Sequence, residues 1–212
     1  RCRALVDEHG VCTLLSSEEN IITSVPHINQ AIEDMQLRNI ELDGELYSHG
    51  MDFSGIHSIV SRKANIHPDF ESIDYWVFDI ITDQLQAQRA VALLSMENEF
   101  KHPVYRVPTL VGNTLDDAMD RLRANMDEGY EGIILRHLYY PYERKRSTGI
   151  MKFKPRESDS YMIVGYEQEI SIQGEPKQAL GALWLSSDEG TRFKVGTGPF
   201  LTRHMREYMW EN

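Results

Sequence analysis

Apolar residues are concentrated in short extended stretches of this chain, and between those stretches they recur at helical spacing. The extended stretches include residues 39–47, 74–81 and 131–136. Short apolar runs are typical of β-strands, whereas a spacing of three or four residues is typical of amphipathic helices. Because the two patterns alternate up to about residue 156, the sequence predicts an α+β domain.

Two helices are predicted before residue 100. The first begins at Pro26, a residue that suits the first turn of a helix, and it places Ile28, Ile32 and Met35 on one face. The second covers residues 86–97.

The third predicted helix, at residues 114–128, has the clearest boundaries. Thr114 and Asp117 form a capping box, in which each side chain accepts a hydrogen bond from the other residue's backbone amide. Gly129 ends the helix. Its apolar stripe consists of Leu115, Ala118, Met119, Leu122 and Met126.

The pattern changes after residue 156. Residues 157–160 are polar and resemble a linker, so we predict one domain at residues 1–157 and a second at residues 158–212. The second domain is expected to be small and mainly β. Its predicted strands cover residues 161–168, 181–185 and 191–195, and a short helix covers residues 201–210.

The composition indicates a packed protein with one local concentration of positive charge. Of the 212 residues, 41% are apolar, which disfavours wholesale disorder. The net charge of −11 disfavours a general nucleic-acid binder. Residues 136–156 nevertheless contain seven basic residues and one acid, a charge of +6. This segment is either a solvated basic loop or a phosphate-binding site.

The cellular location is inferred from the absence of a membrane-spanning stretch and of a disulfide framework in the sequence. No apolar run approaches the ~20 residues of a membrane-spanning helix. Cys2 and Cys12 match no metal-binding spacing and no disulfide framework. An intracellular protein without a membrane partner is therefore expected, in the cytoplasm or nucleus, and a phage or viral origin is compatible with this.

The string Asp43-Gly44-Glu45, here called the acidic string, has two interpretations. An Asp-Gly pair between alternating apolar residues is an ordinary hairpin turn. The acid that directly follows Gly44 favours a functional string instead.

Two further strings carry charges that suit a phosphate or a metal ion. The strand string, Glu-Gly-Ile-Ile-Leu-Arg at residues 131–136, places Glu131 at the mouth of a strand, and Mg²⁺ prefers carboxylate oxygens. The lysine string, Lys152-Phe153-Lys154, places two ammonium groups on one face of a strand. They are either solvated lysines of an edge strand or point charges that stabilise a phosphate.

In this order and spacing, the three strings resemble the nucleotide-binding pocket of the ATP-dependent DNA ligases, which are covalent nucleotidyltransferases. The resemblance implies a nucleotidyltransferase (adenylation) domain of mixed sheets and helices, followed by a partial OB-fold β-barrel. The Lys-x-Asp-Gly-x-Arg motif that holds the nucleophilic lysine of these enzymes does not occur here. Arg1 matches its last residue, so we expect a ligase core from which the first motif has been cut away.

The resemblance also implies roles for individual residues. Glu45 would contact the ribose or a metal ion, and Glu131 would support the metal and the nucleotide. Phe78, in the aromatic stretch at residues 74–81, would pack on the adenine ring, although a core position for Phe78 stays open. Lys152 and Lys154 would stabilise the α-phosphate in the transition state, which makes them catalytic together with Glu131.

The remaining candidates are basic. By resemblance, Arg1 would contact the nucleotide ribose or the phosphate at the nick, and Arg146 the 5′-phosphate of DNA. Arg62 is expected to contact a DNA phosphate. Arg192 and Lys194 precede Gly196-Thr197-Gly198, which is similar to a ligase string that seats the second domain on DNA.

The reaction implied by the resemblance is the sealing of nicks in duplex DNA. A lysine takes AMP from ATP, the AMP passes to the 5′-phosphate of the nick, and the 3′-hydroxyl displaces it, with Mg²⁺ offsetting charge. A monomer is expected. An RNA ligase, an mRNA-capping guanylyltransferase and a catalytically dead nucleic-acid-binding module remain alternatives, and NAD⁺ remains open as the donor.

Overall fold

The structure is a computed structural model, and it describes residues 1–155 and 159–212. The chain divides into two compact units, Arg1–Pro155 and Arg156–Asn212. The domain boundary expected between residues 157 and 158 lies outside the described residues. Strands and helices are mixed in the first unit, which confirms the α+β prediction.

A mixed sheet forms the centre of the first unit. Its strands stand in the order β2-β1-β3-β4-β5, antiparallel except for the parallel pair β4-β5. They cover Cys2–Val6 (β1), Cys12–Ser16 (β2), Ile40–Tyr47 (β3), Asp74–Ile80 (β4) and Val104–Arg106 (β5). The acidic string lies inside β3, so the hairpin-turn interpretation of Asp43-Gly44 is wrong.

Helices pack on this sheet and form the hydrophobic core together with its strands. Three of them, α1 (Pro26–Asp34), α2 (Phe53–Val60) and α3 (Gln86–Ser95), contribute Ile28, Ile32, Ile59 and Leu93 to it. The sequence patterns missed α2, although Asp52 caps its start by accepting a hydrogen bond from the Gly55 amide at 2.8 Å.

The helix with the clearest sequence signal forms as expected. The fourth helix, α4 (Leu115–Asp127), begins at the predicted capping box of Thr114 and Asp117. Of its apolar stripe only Leu122 is buried, because among the described residues the helix packs mainly on the strand that follows it. That strand, β6 (Ile133–Arg136), pairs antiparallel with β7 (Ile150–Phe153) in a separate two-stranded sheet.

Strand β4 contains a bulge that changes which side chains face the core. Its register with β3 shifts, so that Asp79 opposes Asp43 whereas Val77 opposes Gly44, and Phe78 is the extra residue. Tyr75, Val77 and Ile80 belong to the core. Since cross-strand partners share a face, Phe78 and Asp79 both lie on the face away from the core.

The second unit is a three-stranded antiparallel sheet with one helix. Its strands, in the order β10-β9-β8, do not close into a barrel within residues 159–212. They cover Met162–Ile170 (β8), Pro176–Ser186 (β9) and Arg192–Gly196 (β10), and the helix covers Arg203–Glu211 (α5). The middle strand begins five residues before its predicted start at residue 181.

Across the described part of the chain, no helix combines the length and the apolar character needed to cross a lipid bilayer.

Candidate active site

Charged side chains collect on the face of the large sheet that turns away from the core. Alternation along β3 places Glu41, Asp43 and Glu45 on this face, because Leu42 and Leu46 point into the core. Arg1 and Arg3 reach the same face from β1, whose alternate residues Cys2 and Ala4 are buried.

Asp43 is buried, with 1% of its surface exposed, and its carboxylate is fully partnered. It accepts hydrogen bonds from Arg1 Nε at 3.0 Å and Nη2 at 2.5 Å, and from the Tyr142 hydroxyl at 2.8 Å. Burial, with Asp43 nearby, raises the pKa of Tyr142 to about 12, so the hydroxyl keeps its proton. The structure therefore brings the predicted ligand Arg1 to the acidic string.

Asp79 holds a second buried ion cluster on the same face. Its carboxylate accepts from Arg89 Nε at 2.8 Å and Nη2 at 3.2 Å, and from Arg136 Nη1 at 2.6 Å. Asp79 and Arg89 are both 2% exposed. Gln86 also accepts from Arg89, at 2.7 Å. The sequence patterns missed this cluster, and the only local signal was a charged residue on the apolar face of the predicted helix at residues 86–97.

Phe78 does not belong to the core cluster. It is half-buried, and the Arg136 guanidinium lies over its ring, 4.9 Å from the ring centroid. This is the geometry of a cation–π contact. The last residue of the strand string and the aromatic ring of β4 therefore meet on the site face.

Glu131 lies between the two lysines of the lysine string. Its Oε2 is 3.2 Å from Lys152 Nζ and 3.9 Å from Lys154 Nζ. All three side chains are more than half exposed, so a ligand can reach them. The strand begins at Ile133, two residues after Glu131, and β7 ends at Phe153, just before Lys154.

Gly132 explains how the strand string and the lysine string come so close. A Cβ atom at Gly132 would lie 2.4 Å from the Phe153 carbonyl oxygen and 2.9 Å from Lys154 Cβ. Only a residue without a side chain allows this approach. The glycine of the strand string therefore sets the spacing between Glu131 and the lysines.

The two candidate metal ligands, Glu45 and Glu131, come from different sheets. Tyr47 lies on the Glu45 face of β3, and its ring centroid is 6.4 Å from that of Tyr130, so the residue before Glu131 lies near this end of the strand. Within residues 1–155 and 159–212, no three His, Cys, Asp or Glu side chains form a metal-binding group. A Mg²⁺ ion that bridges nucleotide phosphates needs only one or two carboxylates, so this donor set fits such an ion.

Two of the four candidate DNA contacts belong to each unit. In the first unit, Arg62 and Arg146 are exposed; Arg62 follows α2 and donates to the Ser58 carbonyl at 3.3 Å. In the second unit, Arg192 and Lys194 lie on β10. Lys194 pairs with Glu167 at 3.0 Å, so part of its charge is already balanced.

Another basic residue, Arg144, is bound to the sheet. Its guanidinium donates twice to the Glu41 carboxylate, and Arg3 Nη1 donates to the same group at 2.6 Å. The hydrogen bond from Arg144 is the main reason why the pKa of Glu41 lies below its ordinary value. The basic loop that contains Arg144 is thus tied to β3.

A family model for the ATP-dependent DNA ligase domain matches residues 2–154. The chain belongs to this family. The matched residues include the acidic, strand and lysine strings, so the resemblance in the sequence is confirmed.

Relatives of this ligase domain occur in viruses and bacteria. A DNA ligase of African swine fever virus (strain Badajoz 1971 Vero-adapted) is 29% identical over 208 residues, which are 91% of this chain and 47% of that protein. A DNA ligase of Haemophilus influenzae is 26% identical over 161 residues, 74% of this chain and 57% of that protein. The chain thus spans about half the length of these relatives.

Solved structures share the fold of this ligase domain. A Lig E DNA ligase, studied for DNA binding with a minimal scaffold, matches 98% of this chain and 77% of its own with a TM-score of 0.78 at 20% identity. The adenylate form of Chlorella virus DNA ligase matches 100% of this chain and 77% of its own with a TM-score of 0.54 at 21% identity.

Proposed function

We propose that this chain is the nucleotide-binding core of an ATP-dependent DNA ligase, which seals nicks in duplex DNA through a lysyl-AMP and a DNA-adenylate intermediate. The observation that carries the proposal is the placement of Glu131 between Lys152 and Lys154, where the paired strands β6 and β7 begin and end. Two ammonium groups beside one carboxylate suit the joint binding of a phosphate and a metal ion.

Each residue of the site has a task in this reaction. Lys152 and Lys154 stabilise the negative charge that develops on the α-phosphate. Phe78 stacks on the adenine, and Arg1 contacts the ribose or the phosphate at the nick. Glu45 and Glu131 would hold Mg²⁺, which would supply charge neutralisation to the phosphate.

The nucleophilic lysine of this reaction is not present in this sequence, which has no Lys-x-Asp-Gly motif. An ammonium ion must lose its proton before it attacks phosphorus, and nearby positive charge favours that loss. Lys152 and Lys154 therefore serve a second purpose beside charge stabilisation. The 212-residue chain alone is expected to form no AMP adduct.

The proposed partners are ATP and nicked duplex DNA. Arg62 and Arg146 would contact DNA phosphates from the first unit, and Arg192 and Lys194 from the second. We propose that the protein acts as a monomer. Since ATP and DNA are found inside cells, the proposed activity is intracellular.

The test is nick sealing by the full-length protein of the gene that carries this sequence. The assay uses 5′-labelled nicked duplex DNA with ATP and Mg²⁺. Lys152→Ala and Lys154→Ala are each expected to reduce the sealing rate roughly 100-fold, the loss typical for one group that stabilises a transition state. Lys101→Ala is the matched control, because Lys101 is exposed in the same unit and lies outside the site.

The alternatives give different results in the same assay. Sealing with NAD⁺ but not with ATP would show that NAD⁺ donates the AMP. Transfer of GMP from GTP would indicate a capping enzyme, and sealing of RNA alone would indicate an RNA ligase. If the unaltered protein neither seals the nick nor forms an AMP adduct, the ligase proposal is wrong and a binding module takes its place.

A further inference from the structure

Asp79 pairs with two arginines, although one would balance its charge. Taking charges out of water is costly unless they are paired and hydrogen-bonded. Arg89 satisfies this demand from within the protein, since it is as buried as Asp79 and bonds both carboxylate oxygens. Arg136 is the surplus cation, and it is also the more exposed of the two.

Arg136, the surplus cation, packs on the Phe78 ring, which is the proposed stacking surface for adenine. Arg136 donates to Asp79 Oδ2 at 2.6 Å while its guanidinium lies 4.9 Å from the centroid of the Phe78 ring. Neighbouring residues of a regular strand point to opposite faces, so one arginine could not contact both. The bulge in β4 places Phe78 and Asp79 on one face and makes the double contact possible.

We propose that Asp79 is a positioning residue for the nucleobase. It acts indirectly, by holding Arg136 across one face of the Phe78 ring. The ring is then fixed in orientation, and its remaining face receives the adenine. Arg89 has the supporting task of holding Asp79 itself. This inference rests on the proposed function, because it assigns the Phe78 ring to a base.

Two probes separate the base side of the site from the phosphate side. Adenosine carries the base and ribose but no phosphate, whereas pyrophosphate carries only the charges that Lys152 and Lys154 would bind. Their dissociation constants are measured by calorimetry with the full-length protein. Asp79→Asn is expected to weaken adenosine binding roughly tenfold, within the range of one lost stacking contact, and to leave pyrophosphate binding within about twofold.

A second variant, Arg136→Gln, tests the same role if Asp79→Asn does not fold. Arg136→Gln removes the cation from the ring but leaves the buried pair of Asp79 and Arg89 intact, so the fold is kept. It is expected to weaken adenosine binding to the same extent. Asp120→Asn is the matched control, because it removes one carboxylate from an exposed ion pair on α4.

The outcomes separate this inference from the proposed function. Selective loss of adenosine binding in Arg136→Gln, and in Asp79→Asn if it folds, supports the positioning role. Equal loss for both probes would mean that the cluster only supports the fold, and unchanged or tighter adenosine binding would mean that Arg136 does not help the base; either result overturns the inference. If the unaltered protein binds neither adenosine nor ATP, the proposed function itself fails.

Discussion

Asp43 and Asp79 lie directly opposite each other on neighbouring antiparallel strands, and both are buried. Like charges in this arrangement destabilise a sheet unless other groups compensate for them. Here Asp43 pairs with one arginine and Asp79 with two, and Tyr142 joins the two clusters. Its hydroxyl donates to Asp43, and its ring lies 5.5 Å from the Arg89 guanidinium. The loop that carries Tyr142 is therefore held on the sheet by Asp43 and Arg89.

Gly44→Ala is expected to destabilise the first unit. A Cβ atom at Gly44 would lie 2.6 Å from the Trp76 carbonyl oxygen and 2.6 Å from the Tyr75 ring, which is fully buried and cannot move away. Such overpacking costs about 1–3 kcal/mol of the free energy of unfolding. Urea denaturation measures it, with Gly112→Ala as the control because a Cβ there makes only ordinary contacts. Equal stability of the two variants would contradict the prediction.

Gly132→Ala is expected to reduce nick sealing more than Lys101→Ala does. The added methyl group would push β7 away and separate Glu131 from Lys154, so pyrophosphate binding should weaken together with sealing. Gly112→Ala, where a Cβ would make only ordinary contacts, is the matched control. Normal pyrophosphate affinity in the folded Gly132→Ala protein would show that this spacing is not needed.

Glu41→Gln is expected to lower stability in a pH-dependent way. The pKa of Glu41 lies below its ordinary value of 4.5 in the folded chain, chiefly because of the hydrogen bond from Arg144. A lowered carboxylate pKa stabilises the fold above that ordinary value, and the stabilisation disappears as the pH falls through the folded-state pKa. The variant should be about 1 kcal/mol less stable at pH 7, since Arg144 is exposed.

The control for Glu41→Gln is Glu18→Gln, at an exposed turn residue. The difference in the free energy of unfolding between Glu41→Gln and the unaltered chain should shrink below pH 4.5. A difference that stays constant in acid would rule out the ion pair as its cause.

Cys2 and Cys12 are expected to resist alkylation in the folded chain. Both are free and buried, and burial raises the pKa of each thiol to about 12. At pH 8 only roughly one thiol in 10⁴ would be ionised, and the thiolate is the reactive form. Mass spectrometry after iodoacetamide treatment should show no adduct without urea and two adducts in urea. Rapid reaction without urea would mean that β2, an edge strand, opens readily.

Local signals predicted much of the secondary structure. The capping box of Thr114 and Asp117 marked the start of α4, and Pro26 marked the start of α1. Caps and periodicity act between residues within one or two turns, so a linear pattern contains them. The charged strings were visible for the same reason, since their residues are contiguous.

The side-chain clusters were harder to predict. Arg89 looked like one charge on a predicted helix, and Asp79 looked like the end of a strand. Their pairing depends on how α3 packs on β4, which no local pattern contains. The bulge at Phe78 was equally hidden, because strict alternation predicts opposite faces for Phe78 and Asp79.

The sequence by itself indicated many of the strands and helices, and it showed which strings carry the carboxylates and lysines of a ligase core. Periodicity, capping residues and short charged strings are patterns among residues close together in the sequence, so they can be recognised without knowing the fold. Only the tertiary structure decided that Arg136 lies on Phe78, that Tyr142 bonds Asp43, and that two buried aspartates oppose each other. Arg136 bonds Asp79 across 57 positions of sequence, and Tyr142 bonds Asp43 across 99 positions, so these contacts exist only once the strands have paired in their final register.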